Sequence, residues 1–581
     1  MIVEKLRALM KERRLDFLYI PSSDMHDSEY VADAYKFRAA VCGFNGSAGT
    51  LVLGIDCGFC WSDGRYFIQA EKQLNEYFEL MRMGDAGVPT ILEFFKKHQG
   101  CRVGLDGRLV SESYVKQLAE CGIELDLDLD LFALWEMRPA LPSKEHFLLE
   151  ERYSGESCAS KLDRIRQEMA QKGADVHLLT TLDDIAWCFN LRGFDIPYCS
   201  QALAFALISD TADLYLELSK LSEKDAESLR SQGVCLHEYL DIYEDIKGIK
   251  GKVLLDPARV NAQLYRLIRA EIIEDKNPST MMKAIKNDTE IQCTRNAHLK
   301  DGIALSRFII WLKDAVNKEE IDEYSVSEKL EQLRREQPDF LMPSFQSISA
   351  YGANAASMHY APTKDKKAIL EPHGFYLIDS GGTYLDGTSD VTRTIALGEL
   401  SESMKKHYTA VLKGMIDLSI AEFLHGCRGI NLDILARGPL WKMALDYKCG
   451  TGHGVGHVLS VHEGPNGFRW RFQPEKNDSC ILEAGMITTD EPGVYLEGEY
   501  GIRIENELLC VKGESNEYGD FLHFETLTLA PIDLDGVLVD ELTQEEIIFL
   551  NAYHQRVYDE IGPYLNEEER AALAKMTAPL S

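Results

Sequence analysis

The chain has 581 residues, enough for about three to five domains at roughly 100–200 residues each. Hydrophobic residues make up 45% and charged residues 27%, ordinary globular proportions that exclude intrinsic disorder, collagen and a disulfide scaffold as its class. With 94 acidic against 62 basic residues the net charge is −32; such a field repels phosphate backbones, so nucleic acid and anionic membranes are poor partners, while divalent cations and cationic peptides are attracted.

The first residues, Met1-Ile2-Val3-Glu4-Lys5-Leu6-Arg7, carry charge too early for a secretory signal. No run approaches the roughly 18 apolar residues of a spanning helix, and a cytoplasmic protein is expected. Leu6, Leu9 and Met10 fall at helical spacing, which predicts an amphipathic helix over 2–11. A strand-like run at 15–20 follows, ends in Pro21-Ser22-Ser23-Asp24, and is succeeded by another at 50–55. The same order returns later. A helix with Leu162, Ile165 and Met169 on one face precedes a strand-like run at 174–179. Thr180-Thr181-Leu182-Asp183 comes next, then a further run at 202–208. Two copies of one α/β domain are predicted, over 1–155 and 156–285.

The 14 cysteines are widely spread and, without an export signal, read as mostly buried thiols. Cys57-Gly58-Phe59-Cys60 has the CxxC form. It lacks a second CxxC for a zinc knuckle and lies between strands rather than at a helix start, so it also reads as structural.

A connector near Asn277-Pro278-Ser279 leads into a helical stretch over 290–314, with Ala297, Ile303, Ala304, Phe308 and Leu312 at near-helical spacing. From about 342 to 531 short strands alternate with Gly-rich turns, which marks a third domain over 286–531. The tail, 532–581, is helical again, and Thr543 with Glu546 fits a capping box.

The third domain carries the chemistry. Phe375-Tyr376-Leu377-Ile378-Asp379-Ser380-Gly381-Gly382 is an apolar strand ending in an acid and a glycine break; Asp390 follows in the alternating run Thr388–Thr394. Met486-Ile487-Thr488-Thr489-Asp490-Glu491-Pro492-Gly493 repeats the first arrangement, and Gly501-Ile502-Arg503-Ile504-Glu505 repeats the second. Two copies of strand, acid, turn, strand, acid predict a duplicated fold whose pseudo-two-fold axis gathers four carboxylates. Between the copies lies Gly450-Thr451-Gly452-His453-Gly454-Val455-Gly456-His457-Val458-Leu459-Ser460-Val461-His462. Its glycines let backbone approach a crowded centre and its histidines supply imidazole. Four ionised carboxylates need compensating charge, and divalent cations supply it most simply. A carboxylate-rich set with one histidine suits Mn²⁺, Co²⁺ or Zn²⁺, and two such ions would hold a hydroxide nucleophile between them.

These motifs resemble those of the pita-bread metallopeptidases, a family that includes methionine aminopeptidase, prolidase and aminopeptidase P. Within it the large, three-domain cytosolic aminopeptidase P branch matches best. The likeness extends over nearly the whole chain. It takes in 43–50 and Trp61-Ser62-Asp63-Gly64-Arg65-Tyr66-Phe67, then 184–193, Tyr351-Gly352-Ala353-Asn354-Ala355, His359-Tyr360-Ala361-Pro362 and Leu550-Asn551-Ala552-Tyr553-His554.

The resemblance implies two creatinase-like N-terminal α/β domains, a pita-bread catalytic domain with a helical C-terminal extension, and a homodimer. It implies Asp379, Asp390, His453, Glu491 and Glu505 as ligands of two divalent ions, most often Mn²⁺, with Asp390 and Glu505 bridging. It implies His359 and His462 as groups that hold substrate and oxyanion, Glu491 as a proton shuttle, and Arg65 and Arg503 as substrate contacts. By the same likeness His453, not His457, is the ligand of the glycine-rich loop. One departure is Cys449, where relatives carry histidine.

The implied reaction is hydrolysis of the N-terminal Xaa-Pro bond of peptides. A second-position proline fixes φ, removes an N–H and can sit cis, so its enzyme needs a dedicated pocket, which sequence pattern does not display. Alternatives are a prolidase restricted to dipeptides, a creatinase-like enzyme that would not need all five ligands, and a non-catalytic peptide-binding module, which should have lost some of them.

Overall fold

The computed structural model describes residues 2–64, 66–472 and 480–581. The chain divides into two compact units, one built from 1–149 with 156–279 and the other from 150–155 with 280–581.

The first unit holds two six-stranded sheets. One runs from edge to edge as Glu79–Arg82, Gly58–Ser62, Thr50–Gly54, Phe17–Pro21, Arg102–Gly104, Glu124–Asp126. The other runs Val234–Glu238, Ala212–Leu216, Ala204–Ile208, Val176–Leu179, Lys252–Leu255, Glu271–Glu274. In each, the first strand in sequence lies third from one end. It pairs antiparallel with the second strand and parallel with the fifth; the third and fourth strands are parallel, as are the fifth and sixth. The repeat read from helix-strand order is therefore a repeat of topology.

Each sheet is preceded by a helix whose apolar spacing sets its buried face. Ile2–Arg13 buries Val3, Leu6 and Met10. Cys158–Lys172, capped by Ser157 and ended by left-handed Gly173, buries Leu162, Ile165 and Met169. The two halves share one apolar core. His26 crosses between them, with Nδ1 2.8 Å from the Thr180 carbonyl and Nε2 2.6 Å from the Tyr239 hydroxyl. Cys60 is buried on its strand and Cys57 sits in the preceding turn; both thiols are free.

The second unit begins with the long helix Asp288–Ala315, closed at its start by an Asn287–Glu290 capping box. Its buried face carries Thr294, His298 and Asp301, at helical spacing, onto polar groups of the sheets behind. A three-stranded antiparallel sheet joins Ile348–Tyr351, Phe375–Ser380 and Val391–Ala396. A six-stranded antiparallel sheet runs Glu422–Leu424, Gly519–Thr526, Asn506–Asn516, Ile487–Asp490, Gly452–Gly454, Glu463–Phe468. The tail supplies Gln544–Ile561, with the expected Thr543–Glu546 capping box, and Glu567–Met576. The short helix Glu151–Ser154 packs with this unit although flanked by the other. The Ser154 carbonyl accepts from Asn287 at 2.9 Å and the Tyr153 carbonyl lies 2.9 Å from His457 Nε2.

Candidate metal centre

Four acids and a histidine converge where the sheet of Phe375–Ser380 and Val391–Ala396 meets the six-stranded sheet of the second unit. Asp379 sits near the end of Phe375–Ser380, and Asp390 in the gap just before Val391–Ala396. Glu491 directly follows Ile487–Asp490, and Glu505 lies in the two-residue gap between Tyr500–Arg503 and Asn506–Asn516. Each acid thus stands at a strand end or break, where backbone leaves the ladder and a side chain can turn inward. His453 comes from the short strand Gly452–Gly454. A Cβ on Gly452 would lie 1.8 Å from the Thr489 carbonyl oxygen, so only glycine lets this strand approach the one leading to Glu491.

The two bridging candidates hold each other in place through the residue two positions beyond. Thr392, two after Asp390, donates its hydroxyl to Glu505 Oε2 at 2.7 Å. Glu507, two after Glu505, accepts the Asp390 backbone N–H at 2.6 Å. The Glu505 N–H also donates to the Thr392 carbonyl at 3.1 Å. Thr392 and Glu507 were not singled out in the sequence, although their i+2 offset on an alternating strand places them on the same face as the acids.

Ligand atoms of Asp390, His453 and Glu505 lie within 4.8 Å of one another. His453 Nδ1 is 3.0 Å from the Gly454 carbonyl, which assigns the proton to Nδ1 and leaves Nε2 a bare lone pair. That Nε2 lies 3.4 Å from Asp390 and 3.5 Å from Glu491. Glu491 Oε1 is also 3.2 Å from the Thr489 hydroxyl.

Burial pushes the Asp390 carboxyl well above the usual carboxylate range, and Asp379, Glu491 and Glu507 push it further. Glu505 is raised in the same way, by burial first and then by Asp390, Glu491 and Asp379. Asp379 Oδ1 is buried without a hydrogen-bond partner. Buried carboxylates pushed up by one another, an orphaned carboxylate oxygen and an imidazole lone pair aimed among them fit divalent cations.

Arg503 is the cation within this group. It is 3% exposed and bonds Asp379 through Nη2, the Tyr495 hydroxyl at 2.6 Å and Thr392 Oγ1 at 3.1 Å. The geometry gives this guanidinium to Asp379 and Tyr495.

The other site candidates lie around the cluster or apart from it. The His462 ring meets the His453 ring edge to face, with centroids 4.3 Å apart. His457 is buried, with Nε2 2.9 Å from the Tyr153 carbonyl and Nδ1 3.3 Å from the Thr294 hydroxyl, so both its nitrogens face away into the fold. His359 is exposed, beside the buried Tyr360, whose hydroxyl donates to Glu323 at 2.8 Å. Arg65 lies outside the described residues. The Cys449 thiol is pushed up to about 12 by burial and by the nearby Glu491 carboxylate, so it stands as a neutral thiol.

The loop carrying Cys449 and Thr451 is held by a wholly buried pair on the helix Gly429–Trp441. Arg437 binds Asp433 at 2.8 Å and donates to the carbonyls of Tyr447 at 2.8 Å and Cys449 at 3.2 Å. Asp433 accepts the Thr451 hydroxyl at 2.5 Å, and the Thr451 carbonyl accepts the Glu491 N–H at 2.8 Å.

Comparison with known proteins places this geometry. The chain matches the model of metallopeptidase family M24 over 292–512 and that of the M24 C-terminal region over 520–580. Two models of the creatinase/prolidase N-terminal domain match 2–125 and 137–290. It is 38% identical to Xaa-Pro aminopeptidase 1 of Dictyostelium discoideum, over 97% of this chain and 93% of that one. It is 36% identical to aminopeptidase P1 of Arabidopsis thaliana, over 100% and 99%. Its structure is similar to that of the X-prolyl aminopeptidase of Caenorhabditis elegans, described as a cytosolic enzyme with a dinuclear active site. There the TM-score is 0.93 at 33% identity, covering 100% of this chain and 99% of the other. An Xaa-Pro dipeptidase from Bacillus anthracis, 26% identical with a TM-score of 0.51, covers 65% of this chain and 99% of its own.

Proposed function

The chain belongs to metallopeptidase family M24, and from that premise we propose that it is an Xaa-Pro aminopeptidase, a metalloenzyme that removes the first residue of a peptide whose second residue is proline. The observation that carries this reading is coverage. The Dictyostelium, Arabidopsis and Caenorhabditis aminopeptidases align with 97–100% of the chain, whereas the Bacillus dipeptidase accounts for 65% of it.

The donor set holds two divalent ions in this reading, with Asp379, Asp390, His453, Glu491 and Glu505 as ligands, and manganese is the ion proposed to occupy it in the cell. Bound there, the ions supply Lewis acidity and a nucleophile drawn from water. The protein's part is to orient and to move protons. Arg503 fixes Asp379 against Tyr495, and Thr392 fixes Glu505. His453 keeps its Nδ1 proton on Gly454, so that Nε2 stays available. Glu491, only partly buried and lightly tethered through Thr489, is placed to carry a proton toward the leaving nitrogen. His462, edge-on to His453, and His359 are the proposed partners of the substrate and of the developing oxyanion. Arg65 is proposed as a peptide contact on family likeness alone.

We further propose a cytoplasmic homodimer. Ile434, Trp441 and Met443 are exposed on and just beyond the helix Gly429–Trp441, and Trp470 meets Trp441 edge on at 5.6 Å. They form an apolar surface that a second copy would cover.

The test is a substrate pair. An Xaa-Pro-Pro tripeptide should be cleaved after its first residue, and replacing the second-position proline by alanine should cut kcat/KM steeply. Equal rates on the two would indicate a general aminopeptidase, and turnover of Xaa-Pro dipeptides alone would indicate a prolidase.

A further inference from the structure

The Leu550–His554 motif in the tail has no part in the chemistry described so far, yet it ends close to the metal centre. Tyr553 and His554, consecutive on the helix Gln544–Ile561, are both buried. The Tyr553 hydroxyl donates to the Ala530 carbonyl at 2.7 Å, and His554 Nε2 accepts the Ile532 N–H at 3.1 Å. Together they grip the segment that joins the last catalytic strand to the tail.

The second partner of Tyr553 is Arg393, whose Nη2 donates to its hydroxyl at 2.9 Å. Arg393 is 1% exposed. Its hydrogen-bond partners are neutral: the carbonyls of Thr392, Glu505, Ala530 and Pro531, the Asn506 side chain and Tyr553. A buried guanidinium without a bonded carboxylate is tolerable only when each donor finds an acceptor, so the acceptors fix it tightly. Its Nη1 donates to the Thr392 carbonyl at 2.9 Å and the Glu505 carbonyl at 2.5 Å. Those are the two residues that bond side chain to side chain at the centre. Arg393 therefore clamps, by backbone, both halves of the Thr392–Glu505 contact, and Tyr553 orients Arg393.

We propose that the C-terminal helix completes the metal centre from behind, with Tyr553, acting through Arg393, as a positioning residue for Glu505. This rests on the reading of Glu505 as a metal ligand. Loss of the Tyr553 hydroxyl leaves the aromatic packing with Phe549, and takes one acceptor from Arg393, one donor from the Ala530 carbonyl and one acceptor from the Ala530 N–H. Nη2 keeps the Asn506 side chain and the Ala530 carbonyl as acceptors but loses the contact that ties the guanidinium to the helix, so the helix no longer orients it or, through it, the Glu505 backbone.

The test is titration of metal-stripped full-length enzyme with Mn²⁺ by calorimetry, together with thermal melting. Tyr553→Phe should fold and should bind at least one ion about tenfold or more weakly, the range usual for losing a partner that orients a ligand. Val557→Ala, buried one turn along the same helix, should lower the melting temperature and leave Mn²⁺ affinity unchanged, which separates positioning from general destabilisation. Arg393→Lys tests the same coupling by a second route and should also weaken Mn²⁺ binding. Wild-type Mn²⁺ affinity in both Tyr553→Phe and Arg393→Lys, beside a weakened Glu505→Gln, would overturn the coupling alone. Wild-type affinity in Glu505→Gln would overturn the ligand reading beneath it.

Discussion

Asp195 in the N-terminal unit and Asp390 in the catalytic unit are both buried aspartates, at 2% and 4% exposure, yet their environments drive them in opposite directions. Burial tends to raise Asp195, but His146 at 3.0 Å, the Leu203 N–H at 2.9 Å and Lys220 at 3.2 Å outweigh it and hold the carboxyl below its usual range. Around Asp390 the nearest charges are other carboxylates, and burial and repulsion add. Arg503, the cation in reach, is engaged with Asp379. Equal burial of the same side chain thus produces a closed internal ion pair in one place and an open demand for external cations in the other. What differs is the partner set, and that is what marks the second region as a site.

The comparison breaks most visibly if the acids are neutralised one at a time. Asp390→Asn should lose metal at both positions and nearly all activity. The fall should exceed the roughly 10–100-fold typical of losing a residue that merely orients a ligand. Metal content by mass spectrometry and kcat/KM on the tripeptide check it, and a variant with two ions and normal turnover would end the bridging assignment. Exhaustive chelation should have the same effect on the unmodified enzyme, with Mn²⁺ restoring activity best. His462→Ala comes next. It should keep both ions and lose roughly 10²–10⁴-fold in kcat, the usual scale for a group acting on the transition state.

Asp195→Asn is the counterpart in the other unit. It leaves Lys220 without its buried carboxylate partner and should cost about 3–5 kcal/mol of stability, while metal content stays unchanged. His457→Ala is milder. It loses contacts to Tyr153 and Thr294, worth about 1–3 kcal/mol if a buried acceptor is left unpaired, and both ions should remain. A His457 variant depleted of metal beside a replete His453 variant would reverse the reading of that loop.

How far the residues alone reveal this depends on how local each signal is. The doubled α/β fold was legible because the same helix-strand order appears over 2–55 and again over 162–208, and the strand order of both sheets carries that recurrence into topology. The convergence of acids was legible because each sits where an alternating strand meets a break. Thr392 and Glu507 were not, because their partners lie more than a hundred positions away and an i+2 offset marks a shared face without marking a partner. The same holds for Thr294, His298 and Asp301, which read as one more helical face but meet His457, Glu507 and Arg334 across the fold. Arg503 was a substrate contact by family likeness alone, and no sequence pattern announces the buried carboxylate that it meets. The short helix Glu151–Ser154 joins the catalytic unit through backbone carbonyls, which carry no residue signature at all.

The smallest expected effect lies in the acid sensitivity of the N-terminal unit. His177 is wholly buried on the strand Val176–Leu179, with Nδ1 3.0 Å from the Leu254 carbonyl. Burial pushes it down to about 4. An unfolded chain takes up this proton below about pH 6.5, whereas the folded one does so only near pH 4. Between those values the unfolded state holds the extra proton, so stability is intact above the window and falls as pH falls through it. At about pH 5.5 the loss relative to about pH 7 is about 1 kcal/mol. Urea unfolding of the wild type and His177→Gln at those two pH values measures it, with the difference between the pair shrinking by that amount in acid. The effect should persist after chelation, because the four gathered acids all belong to the other unit. An identical pH response in the two proteins would mean that His177 takes up its proton in the folded state at the same pH as in the unfolded chain. A difference that vanishes with chelator would mean that the acid response belongs to the metal centre.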